Sequence, residues 1–82
     1  MVTHIAYHED FKKHIKKLDK TLKNKIKTQI LKIINNPEVG KTMRYTRKGT
    51  REVYIDPFRL SYKYDKNMDK IIILAFYHKD KQ

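Results

Sequence analysis

The residues of this chain best suited to chemistry lie on two short alternating segments. In Phe58–Tyr64, Arg59 and Lys63 alternate with apolar and phenolic side chains. The preceding segment, Arg51–Ile55, alternates as well and carries Tyr54. Side chains alternate between the two faces of a β-strand, so a period of two predicts a strand pair with one apolar face. Charged and phenolic groups would then share the open face of a sheet.

This set of groups is suited to cleavage of an RNA backbone. That reaction needs a base for the 2′-OH, an acid for the leaving 5′-oxygen and cations for the pentacoordinate phosphate. Arg59 is the candidate phosphate clamp, because its planar guanidinium matches phosphate oxygens. His78 is the candidate base, since histidine exchanges protons readily near neutral pH. Tyr54 is a candidate proton donor or a stacking platform for a splayed base.

A structural alternative stands beside each of these roles. Tyr54 is equally consistent with a tyrosine that packs its ring on the sheet, and Glu52 with a cross-strand ion pair. Arg51 shares its parity with Val53 and Ile55 and could lie at the sheet edge instead of on the open face. Composition and spacing alone therefore indicate a basic α+β domain that binds nucleic acid.

Positive charge extends well beyond these segments. The chain has 20 lysines and arginines against 9 acidic residues, for a net charge of +11. Such a domain attracts polyanions, with affinity that falls as salt rises. Solvated lysine-rich helices and an acidic protein partner are the other interpretations. The candidate RNA-binding residues are Lys41, Arg44, Arg47, Lys48, Arg51 and Lys63.

Apolar periodicity predicts the elements that position these groups. The predicted elements are a strand at Val2–Ala6, a helix at His8–Leu18, a second helix from an Asp19 or Thr21 N-cap to Asn36-Pro37, a loop at Glu38–Lys48 with an extended piece near Thr42–Tyr45, strands at Arg51–Ile55 and Phe58–Tyr64, a turn at Asp65–Lys70 and a strand at Ile71–Tyr77. The order β-α-α-β-β-β predicts an α+β fold, with a helical hairpin on one face of an antiparallel sheet. Ile71–Tyr77 is apolar at both parities and is expected to be the central strand.

Composition also limits the class of protein. The chain of 82 residues is expected to form a single domain, 1–82, and it has no cysteine. No apolar run approaches the roughly 20 residues that span a bilayer, and the N-terminus does not resemble a signal peptide. The histidines lack the spacing of metal ligands. The sequence predicts a cytoplasmic protein.

The order of its motifs resembles the RelE/ParE superfamily, the toxins of type II toxin–antitoxin pairs. The segment Asp10–Lys20 is similar to the first helix of that family, and Asn36-Pro37 followed by Gly40-Lys41 to its "NP…GK" passage. The sharpest match is Phe58-Arg-Leu-Ser-Tyr62, where the family has an aromatic-Arg-hydrophobic-x-Tyr strand. His78-Lys79 is similar to the family's late "HR" or "TH" ending. The resemblance covers nearly the whole chain.

This resemblance implies a fold of the microbial ribonuclease type and cleavage of mRNA in the ribosomal A site, without metal or cofactor. By position, Arg59 resembles the strand arginine of the RelE branch, and Lys79 falls where that branch commonly has a second arginine. His78 matches the catalytic histidine of the YafQ branch, whereas Tyr54 stands where that branch has another histidine. The catalytic set is thus Arg59, His78, Tyr54 and Lys79. The implied partners are a cognate acidic antitoxin, in a hetero-oligomer, and ribosome-bound mRNA, with no membrane.

The departures from the family pattern leave other functions open. Tyr54 and Lys79 replace the usual residues, and the aromatic residue that follows "HR" in the RelE branch is missing. A ParE-like inhibitor of DNA gyrase, or an inactive binder of RNA or antitoxin, are the alternatives within the same fold.

Overall fold

In the part of the chain that the structure describes, two helices cover one face of a five-stranded sheet. The computed structural model describes residues 4–43 and 49–81. Its elements are β1 (His4–Tyr7), α1 (Glu9–Ile15), α2 (Lys20–Asn35), β2 (Lys41–Thr42), β3 (Arg51–Ile55), β4 (Phe58–Asp65) and β5 (Lys70–His78), and a 3-10 turn (Lys79–Lys81) follows. The α+β architecture and the helical hairpin are as predicted.

The sheet is mixed, with the order β1-β5-β4-β3-β2. Strands β2 to β5 pair antiparallel, as expected, whereas β1 runs parallel to β5. Parallel neighbours need a long connection between them, and here the whole intervening chain provides it. In this arrangement Ile5 lies opposite Ile71, which places the first strand against the apolar core. β5 lies inside the sheet, as its two-sided apolar sequence predicts.

Helix α1 is shorter than its apolar pattern predicts. His8 caps it by accepting a hydrogen bond from the Asp10 amide at Nδ1, 3.1 Å away. The helix ends at Ile15, because the following residues close with i→i+3 bonds, among them Leu18 N–H to Ile15 C=O at 3.2 Å. The apolar periodicity continues through Leu18 even though the α-helix does not.

The boundaries predicted for α2 are confirmed. The Asp19 carboxylate accepts a hydrogen bond from the Leu22 amide at 2.8 Å, which makes Asp19 the N-cap. The helix ends at Asn35, two residues before Pro37, as the restriction that proline places on the preceding residue predicts.

The core lies between the helices and the covered face of the sheet. Its buried apolar residues are Phe11, Ile26, Ile33, Ile55, Leu60, Tyr62, Ile71, Ile73 and Phe76. The predicted inward-facing residues of β3 and β4 all belong to this core or pack against it. The opposite face of the sheet carries Arg59 and Lys63, together with the other residues of that parity.

A bulge in β5 changes which residues of that strand face the helices. Ser61 pairs with Ala75 and Tyr62 with Ile73, so Leu74 is an extra residue between them. Before the bulge the residue buried beneath the helices is Ile73, and after it Phe76. The alternation therefore shifts by one residue in the middle of β5, which decides where the side chains at its C-terminal end lie.

Among the residues described, no helix combines the length and the apolar character needed to cross a membrane.

Candidate functional site

The open face of the sheet is organised around an ion pair between β3 and β4. Arg59 lies opposite Tyr54, and Glu52 lies opposite Ser61 in the same strand pair. Nη1 of Arg59 lies 3.4 Å from Oε1 of Glu52, and the two side chains are only 20% and 5% exposed. A charge that is so little hydrated requires a partner, so the two groups depend on each other.

Tyr54 covers the same guanidinium from another direction. The Cζ atom of Arg59 lies 5.0 Å from the centroid of the Tyr54 ring, within the range of a cation–π contact. Tyr54 is nevertheless 58% exposed, which is unusual for a large aromatic residue on a sheet. Its exposed part is open to a stacking partner such as a base, while its contact with Arg59 packs it on the sheet. Both interpretations of Tyr54 from the sequence therefore fit its position.

Tyr77 lies directly opposite Arg59 on the neighbouring strand β5, where it is partly buried. Directly opposed residues of a strand pair project from the same face, so Tyr77 shares the open face with Arg59. Tyr77 is absent from the residues singled out in the sequence. Its position depends on the bulge at Leu74, which the apolar run of β5 conceals.

His78 does not join Arg59 on the open face. It lies opposite Phe58, and the two rings meet edge to face with centroids 5.5 Å apart. Phe58 in turn stacks on Phe76 of the core, 4.8 Å away. The structure thus places His78 on the side of the sheet that the helices cover, at the end of β5. The predicted cluster of Arg59, Tyr54 and His78 is divided between two faces.

The hydrogen bonding of His78 indicates which of its ring nitrogens carries the proton. Nδ1 accepts a hydrogen bond from the Asp80 amide at 3.2 Å, and Oδ2 of Asp80 lies 3.6 Å from the same nitrogen. In a neutral ring the proton is then on Nε2, which can donate. Protonation of Nδ1 would place a positive charge beside the Asp80 carboxylate. In the neutral ring both nitrogens are therefore engaged and no lone pair is free for the base inferred from the sequence. A proton is released from Nε2 only when Nδ1 is protonated as well, with Nδ1–H facing Asp80.

The remaining predicted cations occupy different surroundings. Lys41 is exposed and lies opposite Glu52 on the open face, and Lys63 is exposed opposite Ile72. Lys79 is exposed just after β5, where its amide donates to the carbonyl of Pro57 at 3.1 Å. Arg44, Arg47 and Lys48 lie outside the described residues.

Residues 5–82 match the model of the ParE toxin family, described as the ParE toxin of the type II toxin–antitoxin system parDE. The chain belongs to this family. It is a toxin of the RelE/ParE superfamily. No curated protein sequence matches it.

Several solved toxin structures share the fold of this toxin. The E. coli RelE in the intact RelBE complex has a TM-score of 0.79 and 13% identity, covering 92% of this chain and 94% of RelE. The RelE of the Pyrococcus horikoshii RelE–RelB complex has a TM-score of 0.77 and 15% identity, over the whole of both chains. E. coli YafQ has a TM-score of 0.75 and 26% identity, covering 94% of this chain and 93% of YafQ. The predicted RelE-like fold is confirmed.

Arg51 of the toxin binds the connector between α2 and β2 instead of projecting from the open face. Its Nη1 donates to the carbonyls of Glu38 and Gly40, at 3.1 and 2.9 Å. Its Nη2 lies 3.9 Å from the Glu38 carboxylate. This is the sheet-edge position that its parity allows. With these contacts, Arg51 stabilises the backbone of the connector at Glu38 and Gly40.

Tyr62 holds the same connector from the core. Its hydroxyl donates to the carbonyl of Pro37 at 2.7 Å and accepts from the amide of Gly40 at 2.9 Å. Burial raises the pKa of the Tyr62 phenol, against the smaller effects of the Gly40 amide and of Arg51. A Cβ atom at Gly40 would lie 2.7 Å from Tyr62, so glycine permits this close approach. The Tyr62 hydroxyl is therefore a structural tether between the core and the connector.

A groove of about 690 Å³ runs along the helical hairpin of the toxin. Its floor is apolar and includes Phe11, Ile26 and Ile30, and Leu31 at its margin is 53% exposed. Five lysines surround it: Lys12, Lys13, Lys16, Lys23 and Lys27. Such a surface combines an apolar contact area with a field that favours acidic ligands.

Within the described residues, no group of three or more histidines, aspartates or glutamates is placed to hold a metal ion.

Proposed function

We propose that this toxin is an endoribonuclease that cleaves mRNA on the ribosome by metal-free acid–base chemistry. The observation that carries the proposal is the position of Arg59, held on the open face between the Glu52 carboxylate and the exposed Tyr54 ring. A fixed guanidinium beside an exposed aromatic ring offers a phosphate site next to a stacking platform. The 26% identity to YafQ over nearly the whole chain supports the same class of toxin.

In this proposal the 2′-oxygen of one nucleotide attacks the adjacent phosphorus. A 2′,3′-cyclic phosphate forms as the bond from phosphorus to the 5′-oxygen breaks. The 2′-oxygen loses its proton to solvent, the leaving 5′-oxygen gains one from His78, and His78 is then reprotonated from solvent, so no water molecule is consumed. Arg59 binds the charged phosphate oxygens. His78, as an imidazolium whose Nδ1–H faces the Asp80 carboxylate, donates a proton from Nε2 to the leaving oxygen. For both to act, the RNA lies across the start of β4 and the end of β5.

Other residues bind and orient the RNA in this proposal. Tyr54 stacks on a base beside the scissile bond, and Tyr77 contributes a phenol on the same face. Lys79 contacts the phosphates near His78. The cations that attract the backbone are Lys41, Lys63 and the predicted set Arg44, Arg47, Lys48, with Arg51 supporting the connector.

The test is to induce the toxin in cells and map the 5′ ends of mRNA. We expect new 5′-hydroxyl ends within translated codons, and their loss in Arg59→Ala. The control is Lys25→Ala, which removes one positive charge from the exposed side of α2. Intact mRNA in cells arrested by the toxin would contradict the proposal.

A second candidate function is inhibition of DNA gyrase without RNA cleavage. The position of His78 favours it, because the predicted base is not on the face of Arg59. The match to the ParE family model is also consistent with it. Growth arrest in which the mRNA stays intact but the DNA is broken would support this candidate. Normal growth on induction would instead indicate an inactive binder of RNA or antitoxin.

We infer that the partner of the toxin is an acidic antitoxin, with which it forms a hetero-oligomer in the cytoplasm. The solved relatives include toxin–antitoxin complexes. The apolar groove with its five lysines fits an amphipathic helix with an acidic border, since such a helix satisfies both the floor and the rim. Antitoxin peptides with and without their acidic residues, titrated into the purified toxin, test this inference.

A further inference from the structure

We propose that Glu52 is the positioning residue of Arg59 and also lowers the attraction of the open face for phosphate. The kinetic part of this inference rests on the proposed ribonuclease function. The structural part concerns the guanidinium alone and can be measured without catalysis.

The geometry separates the roles of the two residues. The Glu52 side chain is 5% exposed, whereas Arg59 retains 20% exposure towards the open face. A substrate 2′-OH can therefore reach the guanidinium but not the carboxylate. Glu52 acts on the substrate through Arg59 and is not itself a catalytic residue.

The contacts of Arg59 leave part of its guanidinium available. Nη1 is directed to Glu52, and Cζ lies over the Tyr54 ring, 5.0 Å from its centroid. A guanidinium has five N–H donors in a fixed fork, so a carboxylate at one nitrogen orients the others. Among the described residues, Nε is buried without a hydrogen-bond partner. Its burial indicates that packing of the side chain, and not a second polar contact, completes the restraint.

The charge of Glu52 has a second consequence. An opposite charge 3.4 Å from Nη1 offsets much of the positive potential that Arg59 would present to a phosphate. Lys41 lies opposite Glu52 in the β2–β3 pair and is exposed, so it adds a cation at the margin. The site thus holds its arginine in a fixed position at the expense of ground-state affinity. Fixed donors favour the transition state over the bound substrate.

Three variants distinguish these two effects. Glu52→Gln keeps the shape and removes the charge, and Glu52→Asp keeps the charge and shortens the reach. Glu9→Gln removes the same charge from α1, where Glu9 pairs with Lys12. The helices cover the other face of the sheet, so this change lies away from the open face. It controls for the change in net charge.

The expected result is a split between KM and kcat. For Glu52→Gln we expect KM for a short RNA on purified ribosomes to fall about threefold, as one opposing charge is lost. We expect kcat to fall roughly 10- to 100-fold, because Arg59 is no longer fixed. Glu52→Asp should lower kcat without lowering KM, and Glu9→Gln should change neither by more than about twofold. A purely structural role for Glu52 would reduce the folded fraction and leave KM unchanged, which would overturn the proposal.

The NMR signal of the Arg59 guanidinium provides a measurement that does not need RNA cleavage. In the wild-type toxin we expect a resolved, slowly exchanging Nε–H signal, identified by its loss in Arg59→Lys, that shifts with inorganic phosphate. Glu52→Gln should bind phosphate more tightly and exchange this proton faster. A wild-type signal averaged like that of free arginine would overturn the proposal even if the toxin cleaves RNA. If the wild type cleaves no RNA, the proposed function fails and this titration still tests Glu52.

Discussion

His78 lies directly opposite Phe58 in the β4–β5 pair, with the two ring planes at 79° to each other. This contact fixes the imidazole at the end of the sheet, away from the strand position opposite Arg59, which Tyr77 occupies. Tyr77 and His78, at the end of β5, thus lie on different faces of the sheet. Any chemistry that uses both must take place where the strand ends.

The first prediction concerns His78 as the proton donor. His78→Gln keeps a polar side chain but cannot deliver a proton, so cleavage should fall roughly 100-fold, a typical contribution of one general acid. The measurement is the rate of cleavage of a synthetic RNA on purified ribosomes. The control is His14→Gln, because His14 lies against Phe76 on the helical side. Equal rates for His78→Gln and the wild type would remove His78 from the mechanism.

The second prediction concerns the groove of the helical hairpin. Leu31→Asp places a negative charge where an acidic antitoxin would bind, so antitoxin affinity should fall by at least about tenfold. The toxicity of the free toxin should not change, because Leu31 is far from the open face. Asn24→Asp adds the same charge to α2 outside the groove and is the matched control. Isothermal titration with the antitoxin checks both, and equal losses for the two variants would contradict the groove assignment.

The third prediction concerns the tether between Tyr62 and the connector. Tyr62→Phe removes the hydroxyl that donates to the Pro37 carbonyl and accepts from the Gly40 amide. Both backbone groups then lose this hydrogen-bond partner. We expect the free energy of unfolding to fall by about 2 kcal/mol, measured by urea denaturation. Tyr54→Phe removes an exposed hydroxyl and should cost less than about 0.5 kcal/mol. Similar losses for the two variants would mean that the tether adds little stability.

The fourth prediction concerns stability at high pH. Burial raises the pKa of Tyr62 above its ordinary value of 10.0, so the folded state keeps this proton to higher pH than the unfolded chain does. The resulting stability is complete below the unfolded pKa and is lost as the pH rises through the folded pKa. The unfolding free energy should therefore decline above pH 10 by more in the wild type than in Tyr62→Phe. Parallel declines in the two proteins would exclude Tyr62 as the cause.

Much of the fold could be predicted because local signals and burial agree. Asp19 and Pro37 bound α2 by capping chemistry and backbone restriction, which act within a few residues. The alternation in Phe58–Tyr64 identifies its covered face, since Leu60 and Tyr62 are fully buried. That alternation alone predicts that Arg59 lies on the open face, and it is what makes Arg59 a candidate site residue.

The rest of the site depends on relations between strands that the sequence does not display. A period of two cannot be extrapolated through the bulge at Leu74, because Leu74 and the three isoleucines before it are all apolar and conceal the change of phase. The position of Tyr77 opposite Arg59, and of His78 opposite Phe58, follows from that one extra residue. The parallel pairing of β1 with β5 likewise depends on long-range packing, which no local sequence pattern displays.

The helical groove and the open face of Arg59 lie on opposite sides of one sheet. A partner that binds only the groove would hold the toxin without covering the face on which we propose that RNA binds. Binding of the toxin by an antitoxin and inhibition of the toxin are therefore separable. An antitoxin that both binds and inhibits the toxin needs a second segment that passes around an edge of the sheet. Proteolysis of that segment alone would restore the activity of the toxin while the rest of the antitoxin stays in the groove.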